Sequence, residues 1–505
     1  MKFQKMITAS AVVGLTLLAC SFAVAGEVEG PIVKHAVAHT VSAPVRELSR
    51  AVRSDLALSK APATSGLLNI AGQSAAKGVL YSDASGAVGL TQYVQLVNNQ
   101  YTVYDKSTGA VIAGPIAANT LWASSGTVCA TFTGSGDGSV MYDQLANVWV
   151  IQRHAAPSGG PYLNCIALST TSDATGTYNA YSFVLTMMFP DKPRLALWPD
   201  AYYVSQDVLN PTTKVFQRSQ VCALDRDAML AGASDPETVC FQGSISLPTF
   251  VVTTLEGQSL PPAGEVEFVW QLDQRPNQGK NNLNSFQFHV DFSNGGTNST
   301  FTGPVANVLP AYTDACNNFK PCVPQPGTTN VVQAWGDRLT GKVSYRNFGT
   351  YESVVMNHAI TRTTTAGSRA AIRWYEYRTP LTPVIFQWGV ISPDTNWRWN
   401  GGIDQDQFGD IAVGYNVSSS TVNPGIRYSG HAATDKVNVM EPEITVVNGA
   451  GSQNGTNMNW SSYSTMAIDP VDDCTFYYTN QYYATSSLSG WKTQINSFRF
   501  PSCTN

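Results

Sequence analysis

Four short segments rich in arginine and tryptophan each stand directly before a predicted β-strand. They are FPDKPR (189–194), WGDR (335–338), NWRWN (396–400) and MNWSSYS (458–464). Three of them place an arginine where the strand begins, at Arg194, Arg338 and Arg398. Guanidinium groups bind carboxylate and sulfate through paired hydrogen bonds, so arginines that converge on one funnel would form a clamp for an anionic ligand.

Aromatic side chains in the same segments would add flat surfaces that stack on sugar rings or aliphatic stems. These side chains are Trp335, Trp397, Trp399 and Trp460. A structural role is the alternative: Arg338 and Arg398 would then pair with Asp337, Asp404 or a neighbouring repeat, and the tryptophans would pack between repeats. The candidate ligand-binding residues are Arg194, Asp337, Arg338, Arg398, Trp399 and Tyr463.

A glycosidase of the sialidase type would need more than arginines. It uses an acid/base aspartate and a tyrosine nucleophile that a glutamate activates, besides an arginine triad. The tyrosines that could serve are Tyr345, Tyr375 and Tyr463, and the glutamates are Glu352 and Glu376. The spacing selects no single set, and the S-x-D-x-G-x-T-W turn repeat of sialidases is absent from the sequence.

The segment DQDQFGD (404–410) places Asp404, Asp406 and Asp410 at alternating positions, as in a calcium-binding loop. It lacks the glutamate at the twelfth position of an EF-hand, and its spacing matches that of other turns in this chain. Calcium is therefore a weak possibility there, and no other cofactor is indicated. The histidines occur singly, without the spacing of a zinc site, and no G-x-S-x-G nucleophile segment is present.

The elements that would position these residues are repeated hairpins. Asp143, Asp406 and Asp469 are each followed four positions later by Asn or Asp, and then by alternating buried-type residues at +5 and +7. This spacing predicts a strand, a turn capped by the aspartate, and a second strand. Looser copies occupy 91–111, 194–209 and 342–360.

Hairpins that recur every 50–70 residues or so, each followed by further strands, are typical of β-propeller blades. The sequence therefore predicts an all-β fold, a six- or seven-bladed β-propeller over residues 85–505. Two β-sandwich domains are the alternative, which explains the strands but not the recurring turn.

The N-terminus is organised differently. Two lysines, the apolar run 6–20 and the segment AVA (23–25) predict a secretory signal peptide over 1–25. A lipoprotein anchored at Cys20 is the less favoured alternative. Residues 26–84 are predicted to form an arm or linker with a short helix, whose apolar face would comprise Val41, Val45, Leu48, Val52 and Leu56. A removable pro-segment is the other interpretation, and no later apolar run is long enough to span a membrane.

The net charge of the chain limits the classes of partner that it could bind. Removal of 1–25 leaves 28 basic residues against 35 acidic ones, a net charge of −7, without a basic tract for nucleic acid.

Nine cysteines minus Cys20 leave eight, an even number that indicates disulfides in an exported protein. Eight cysteines allow 105 pairings, and nearest-neighbour pairing predicts Cys129–Cys165, Cys222–Cys240, Cys316–Cys322 and Cys474–Cys503. Metal ligation is the rival, but no C-x-x-C cluster is present.

Several longer segments carry a resemblance to a known family. They include YDQLANVWVIQ, LWPDAYYVS, GDRLTGKVSYRNFG, AAIRWYEYR, NWRWNGGIDQDQFGDIAVGYNVSSS, GIRYSG and YSTMAIDPVDDCTFYYTNQYY, in this order from about residue 90 to the end. The chain resembles a family of exported bacterial proteins that is similar to sialidase-like β-propellers and is largely without assigned activity. The resemblance implies a propeller fold and an exported location, and it carries over no catalytic residues.

The function expected from the sequence is that of a secreted β-propeller that binds an extracellular glycan or another polymer. A glycoside hydrolase or lyase acting on acidic glycans at the same face is the alternative. A structural partner of other envelope proteins is a third. Whether the protein is an enzyme stays open at the level of the sequence.

Overall fold

The structure is a computed structural model, and it describes residues 28–49, 67–75, 79–134, 137–275, 280–317, 320–378, 380, 382–455 and 459–503. The predicted signal peptide lies outside this range, as do Val52 and Leu56 of the predicted helix. The described part of the chain is all-β with three short helices: α1 (Val45–Ser49), α2 (Val128–Thr131) and α3 (Arg226–Leu230). The predicted all-β class is confirmed.

Most strands form four-stranded antiparallel units that follow one another along the chain. Unit 1 contains β3 (Ala84–Val88), β4 (Gln92–Val97), β5 (Gln100–Asp105) and β6 (Val111–Ala117). Unit 2 contains β7 (Ser139–Asp143), β8 (Val148–Ala155), β9 (Leu163–Ser169) and β10 (Tyr178–Phe183). Unit 3 contains β11 (Phe189–Leu197), β12 (Ala201–Leu209), β13 (Phe216–Asp225) and β14 (Glu237–Gly243).

Three further units have the same order. Unit 4 contains β15 (Val251–Leu255), β16 (Glu267–Arg275), β17 (Lys280–His289) and β18 (Thr300–Val308). Unit 5 contains β20 (Leu339–Asn347), β21 (Glu352–Thr364), β22 (Gly367–Arg378) and β23 (Val384–Ile391), and the short β19 (Thr313–Asp314) pairs with β21. Unit 6 contains β24 (Trp397–Gln405), β25 (Ile411–Ser418), β26 (Gly425–His431) and β27 (Ile444–Val447).

The last unit combines both ends of the described chain. Unit 7 contains β28 (Thr465–Ile468), β29 (Phe476–Tyr483) and β30 (Trp491–Phe498), and its fourth strand is β2 (Asn69–Ser74), which pairs with β30. Each unit's first strand contacts the first strand of the next, and β28 contacts β3. The seven units of the described residues are thereby arranged in a closed cycle.

The segment 26–84 contributes more strand than helix. β1 (Val28–Val41) pairs with β14 up to His35 and with β10 from Ala36, so that one strand bridges the outer edges of units 2 and 3. Val41 belongs to this strand and not to the predicted helix. The described helix in this segment is limited to α1, whose Val45 is buried in the core.

The predicted equivalence of three aspartate turns is confirmed. Asp143, Asp406 and Asp469 each lie between the first and second strand of a unit, in units 2, 6 and 7. In each case Oδ1 accepts a backbone N–H two residues later, at 2.9 Å. Asn147 and Asp473, four residues after the aspartate, adopt the left-handed conformation that Asn and Asp tolerate, with φ of 54° and 52°.

Packing between adjacent units explains the composition of the second strands. β8 and β25 are buried at every position, because both faces of these strands are covered. The described residues contain all four predicted disulfides, Cys129–Cys165, Cys222–Cys240, Cys316–Cys322 and Cys474–Cys503. None of the described helices is long and apolar enough to cross a bilayer.

Candidate functional site

Ionisable side chains from several units gather where the first strands begin. Asp83 precedes β3, and its Oδ1 accepts the N–H of Ser462, which precedes β28, at 2.6 Å. Tyr463 donates its hydroxyl to the carbonyl of Pro193 on β11 at 3.2 Å. Arg194 on β11 donates to the carbonyl of Leu339, where β20 begins, at 3.2 Å. We call this region the strand-start face; its ionisable residues are Asp83, Asp137, His154, Asp191, Lys192, Arg194, Asp207, Asp337, Arg338 and Tyr463.

A bulge in β11 places a lysine in this face. The pairing of β11 with β12 shifts register between Asp191 and Arg194, and Lys192 within the bulge has φ = +49°. Few residues other than glycine adopt this left-handed conformation, and bulges often re-aim a side chain near a functional site. The Lys192 ammonium pairs with the Asp191 carboxylate and lies 5.1 Å from the centre of the Trp335 ring.

Two carboxyl groups of the face are joined by a hydrogen bond. Asp83 is completely buried, whereas Asp137, which precedes β7, is half-buried. Burial, followed by the charge of Asp137, raises the pKa of Asp83 well above its ordinary value, and the hydrogen bond between the two carboxyl groups adds to this effect. Burial therefore favours the protonated form of Asp83, and Asp137 is the less buried of the two residues.

A third carboxyl group is held in the opposite protonation state. Burial disfavours the charge of Asp191, but Lys192 and then Arg338 outweigh burial and lower the pKa of Asp191. The charges of Asp137 and Asp191 both act on the His154 ring. The two aspartates therefore share one environment. Burial lowers the pKa of His154, so the ring is neutral there at neutral pH.

The arginines of the face are engaged by the protein itself. Arg338 donates to Asp337 at 2.7 Å and to Asp207 on β12 at 3.2 Å. Arg194 is buried, donates to the carbonyls of Leu339 and Gly341, and lies over the Tyr463 ring. Of the predicted ligand-binding residues, the structure thus brings together Arg194, Asp337, Arg338 and Tyr463.

Arg398 and Trp399 do not belong to this face, contrary to the prediction. Arg398 is fully buried and pairs with Glu443 at 2.9 Å and with Asp394 at 2.7 Å, within unit 6. Trp399 is fully buried and packs edge-on against Trp460, with 5.4 Å between the ring centres. Ion pairs within unit 6 therefore occupy Arg398, and packing between units 6 and 7 occupies Trp399, so both side chains have structural roles.

The sialidase-type combination is also not assembled. Tyr345 donates to Glu352 at 2.5 Å, but Tyr345 lies near the end of β20 that is opposite to Arg338. Six residues lie between Arg338 and Tyr345 along the chain, and β20 is bulged between Thr340 and Ser344. Tyr375 is hydrogen-bonded to His358 at 2.9 Å, and Glu376 accepts hydrogen bonds from Arg378 and Gln387 in unit 5. Among the described residues, the partners of Tyr345 thus do not include Arg194, Arg338 or Arg398.

The three aspartates proposed for calcium have separate protein partners. Asp404 forms an ion pair with Lys342 and accepts a hydrogen bond from the Ser344 hydroxyl on β20, each at 2.6 Å. Asp406 accepts two N–H groups of its own turn, and Asp410 accepts the N–H of Ala433 at 2.7 Å. The segment forms a turn, as its spacing indicated. Asp404 forms an ion pair that links units 5 and 6.

Sequence reasoning missed the carboxyl pair, Asp191 and Lys192. A signal was present, since Asp83, Asp137 and Asp337 all stand within two residues of a first strand, as the arginines do. Asp137 lies in the glycine-rich segment TGSGDG (133–138), whose composition predicts a loop insertion, so it was not predicted as a site residue. Beneath the face, a cavity of about 110 Å³ lies between the first strands, with Arg194 and Tyr463 in its wall at one end and Glu256 and Lys342 at the other.

Comparison with known proteins gives weak structural likenesses. No protein-family model and no curated protein matches the sequence. Similar solved structures include the α-L-arabinofuranosidase Arb93A of Fusarium graminearum, with a TM-score of 0.40 and 9% identity over 70% of this chain and 89% of that one. The Hadza microbial sialidase Hz136 has a TM-score of 0.35 and 8% identity over 82% and 74%. A Trypanosoma rangeli sialidase has a TM-score of 0.34 and 9% identity over 85% and 60%. Likenesses this weak assign no activity to this chain.

Proposed function

We propose that the chain is a seven-bladed β-propeller whose strand-start face binds a glycan and cleaves a glycosidic bond. The closed cycle of seven four-stranded units supports the propeller, in which each unit is one blade and β2 completes the last blade. The four disulfides support a site of action outside the reducing cytoplasm, as the predicted signal peptide does.

The observation that carries the proposal is a set of carboxyl groups in opposite protonation states. Burial and the neighbouring Asp137 favour the protonated form of Asp83, while Lys192 and Arg338 favour the ionised form of Asp191. Titratable groups that their surroundings push apart in this way mark the acid and the base of a catalytic site. Glycoside hydrolysis is one reaction that two carboxyl groups perform without a metal or another cofactor.

The roles follow from exposure and charge. Asp137, the half-buried member of the pair, donates the proton to the glycosidic oxygen as its bond to the sugar carbon breaks. The Asp191 carboxylate takes a proton from the water that adds to that carbon. Passage of this proton back to the pair restores the site, so the net reaction consumes one water. Asp83 does not touch the substrate; it positions the proton on Asp137.

The test is the release of reducing ends from a panel of glycans by the mature protein. Asp137→Asn and Asp191→Asn should each lower the rate by about 100-fold or more, the usual contribution of general acid–base catalysis. Asp227→Asn is the matched control, since this side chain is 92% exposed on α3 and should leave the rate unchanged. Full activity in Asp137→Asn would contradict the assignment. Binding of a glycan without its cleavage would show that the face recognises glycans but does not cleave them.

A further inference from the structure

A lysine and two carboxyl groups from three successive units meet beside the end of the cavity that lies away from the strand-start face. Glu256 directly follows β15 of unit 4, Lys342 belongs to β20 of unit 5, and Asp404 belongs to β24 of unit 6. Lys342 donates a hydrogen bond to Glu256, and its Nζ lies 2.6 Å from Oδ2 of Asp404. The Asp404 side chain is completely buried, whereas those of Lys342 and Glu256 are 19% and 14% exposed. Bulk water therefore has little access to the contact between the lysine and the aspartate.

A bulge in β20 directs Lys342 toward unit 6. The pairing of β20 with β21 shifts register between Thr340 and Ser344, and Gly341 within the bulge has φ = +69°. A Cβ atom at Gly341 would lie 2.9 Å from the carbonyl oxygen of Gly401 on β24, so a larger residue would push the two first strands apart. The close approach of these strands brings the Lys342 nitrogen against a carboxyl group of the next unit.

The contact between Lys342 and Asp404 differs from that of a hydrogen-bonded ion pair. Although Nζ lies only 2.6 Å from Oδ2, this oxygen accepts no hydrogen bond of ordinary geometry among the described residues. The other oxygen, Oδ1, accepts from the Ser344 hydroxyl at 2.6 Å and from the Gln405 N–H at 2.9 Å. These two donors fix the carboxyl group and would stabilise negative charge that develops on Oδ1. The nitrogen and the carboxyl group are thus held in contact in a fixed orientation, which favours a reaction between them.

We propose that Lys342 and Asp404 condense to an amide, a covalent cross-link between units 5 and 6, and that Glu256 transfers the protons. The Glu256 carboxylate takes a proton from the Lys342 ammonium and passes it to Oδ2 of Asp404. The lone pair of Nζ then adds to Cγ of Asp404. Glu256 moves a second proton from Nζ to Oδ2, and the Cγ–Oδ2 bond breaks with the loss of one water. The ion pair thereby becomes an amide and a water molecule, no oxidant or cofactor is consumed, and Glu256 returns to its original state.

The surroundings favour this reaction in two ways. Burial, followed by the charge of Asp404, raises the pKa of Glu256 to about 7, so that this carboxyl group can accept and release a proton near neutral pH. Two charges that are buried together also have a desolvation cost, which a neutral amide avoids. The modification does not depend on the proposed glycan cleavage, since its three residues lie away from the strand-start face.

The mass of the mature protein tests the proposal. After denaturation and complete reduction of the disulfides, the protein should be lighter by one water molecule than its sequence requires. Trypsin should leave the chain uncut at Lys342 and release a branched peptide, in which 339–346 is joined to 399–427 through Lys342 and Asp404. A mass equal to that of the sequence, with cleavage at Lys342 and two separate linear peptides, would overturn the proposal.

A variant and an internal control test the role of Glu256. Glu256→Gln keeps Lys342 and Asp404 but removes the group that transfers protons, so the cross-link should form about 100-fold more slowly or less, and the freshly purified variant should have the full mass of its sequence. Thermal unfolding checks that the variant is folded. Lys106 and Asp469 form an ordinary hydrogen-bonded pair at 2.9 Å between units 1 and 7, and they should appear in linear peptides of the same digest. A complete cross-link in Glu256→Gln would contradict the role assigned to Glu256.

Discussion

Arg338 shows why a residue type at a strand start does not by itself define a ligand site. Its guanidinium group links Asp337, its neighbour in the chain, with Asp207, which lies 131 residues away on unit 3. From the sequence, Arg338 could belong to a ligand clamp or to an ion pair. No sequence pattern identifies an ion-pair partner so far away along the chain. The fold decides in favour of the ion pair, because closure of the ring brings units 3 and 5 together at this point.

Replacement of Arg338 should therefore affect stability. Arg338→Ala leaves Asp207 and Asp337 without their cation in a buried position, which should lower the free energy of unfolding by about 3–5 kcal/mol. The control is Arg218→Ala, which removes an exposed pair with Glu29 and should cost less than about 1 kcal/mol. Denaturant unfolding of both variants measures the difference. Equal, small losses would show that the Arg338 pair contributes little.

At the scale of strands and turns, the sequence predicted contacts between residues that are close along the chain and missed contacts between residues that are far apart along it. The aspartate turns repeat within short segments, so their spacing is visible in the sequence and their equivalence is confirmed. β1 and β2 were missed because their hydrogen-bond partners β10, β14 and β30 come later in the chain. The carboxyl pair was missed for the same reason, since Asp83 and Asp137 belong to different units.

The disulfide Cys474–Cys503 links the chain that follows the last strand to the turn before the second strand of its unit. It closes a loop with a sequence separation of 29, compared with 6 for Cys316–Cys322. Because the loop-entropy contribution grows with loop length, Cys474→Ser with Cys503→Ser should lower the stability by about 3–4 kcal/mol. The same change at Cys316 and Cys322 should cost about 2 kcal/mol. Equal losses in the two double variants, measured by denaturant unfolding, would argue against this mechanism.

The whole molecule is a ring that its two ends close together. β2 pairs with β30, and the Thr493 hydroxyl donates to the Gln73 carbonyl at 2.8 Å. The pairing with β2 covers the outer edge of β30. It also fixes the positions of Asp83, before β3, and Ser462, before β28, at the junction where the ring closes. The geometry of the carboxyl pair is therefore a property of the closed ring.

The central claim, that the Asp83–Asp137 pair supplies a proton for glycoside cleavage, is tested most directly by the pH dependence of kcat/KM. Activity should fall as the pH rises through the pKa of the pair, because the acid form donates the proton. Asp83→Asn removes the carboxyl group with which Asp137 would share the proton, so this fall should occur at lower pH in the variant. Thermal unfolding of the variant provides the control for folding. An alkaline limb at the same pH in both proteins, or no cleavage by the wild-type protein, would contradict the account.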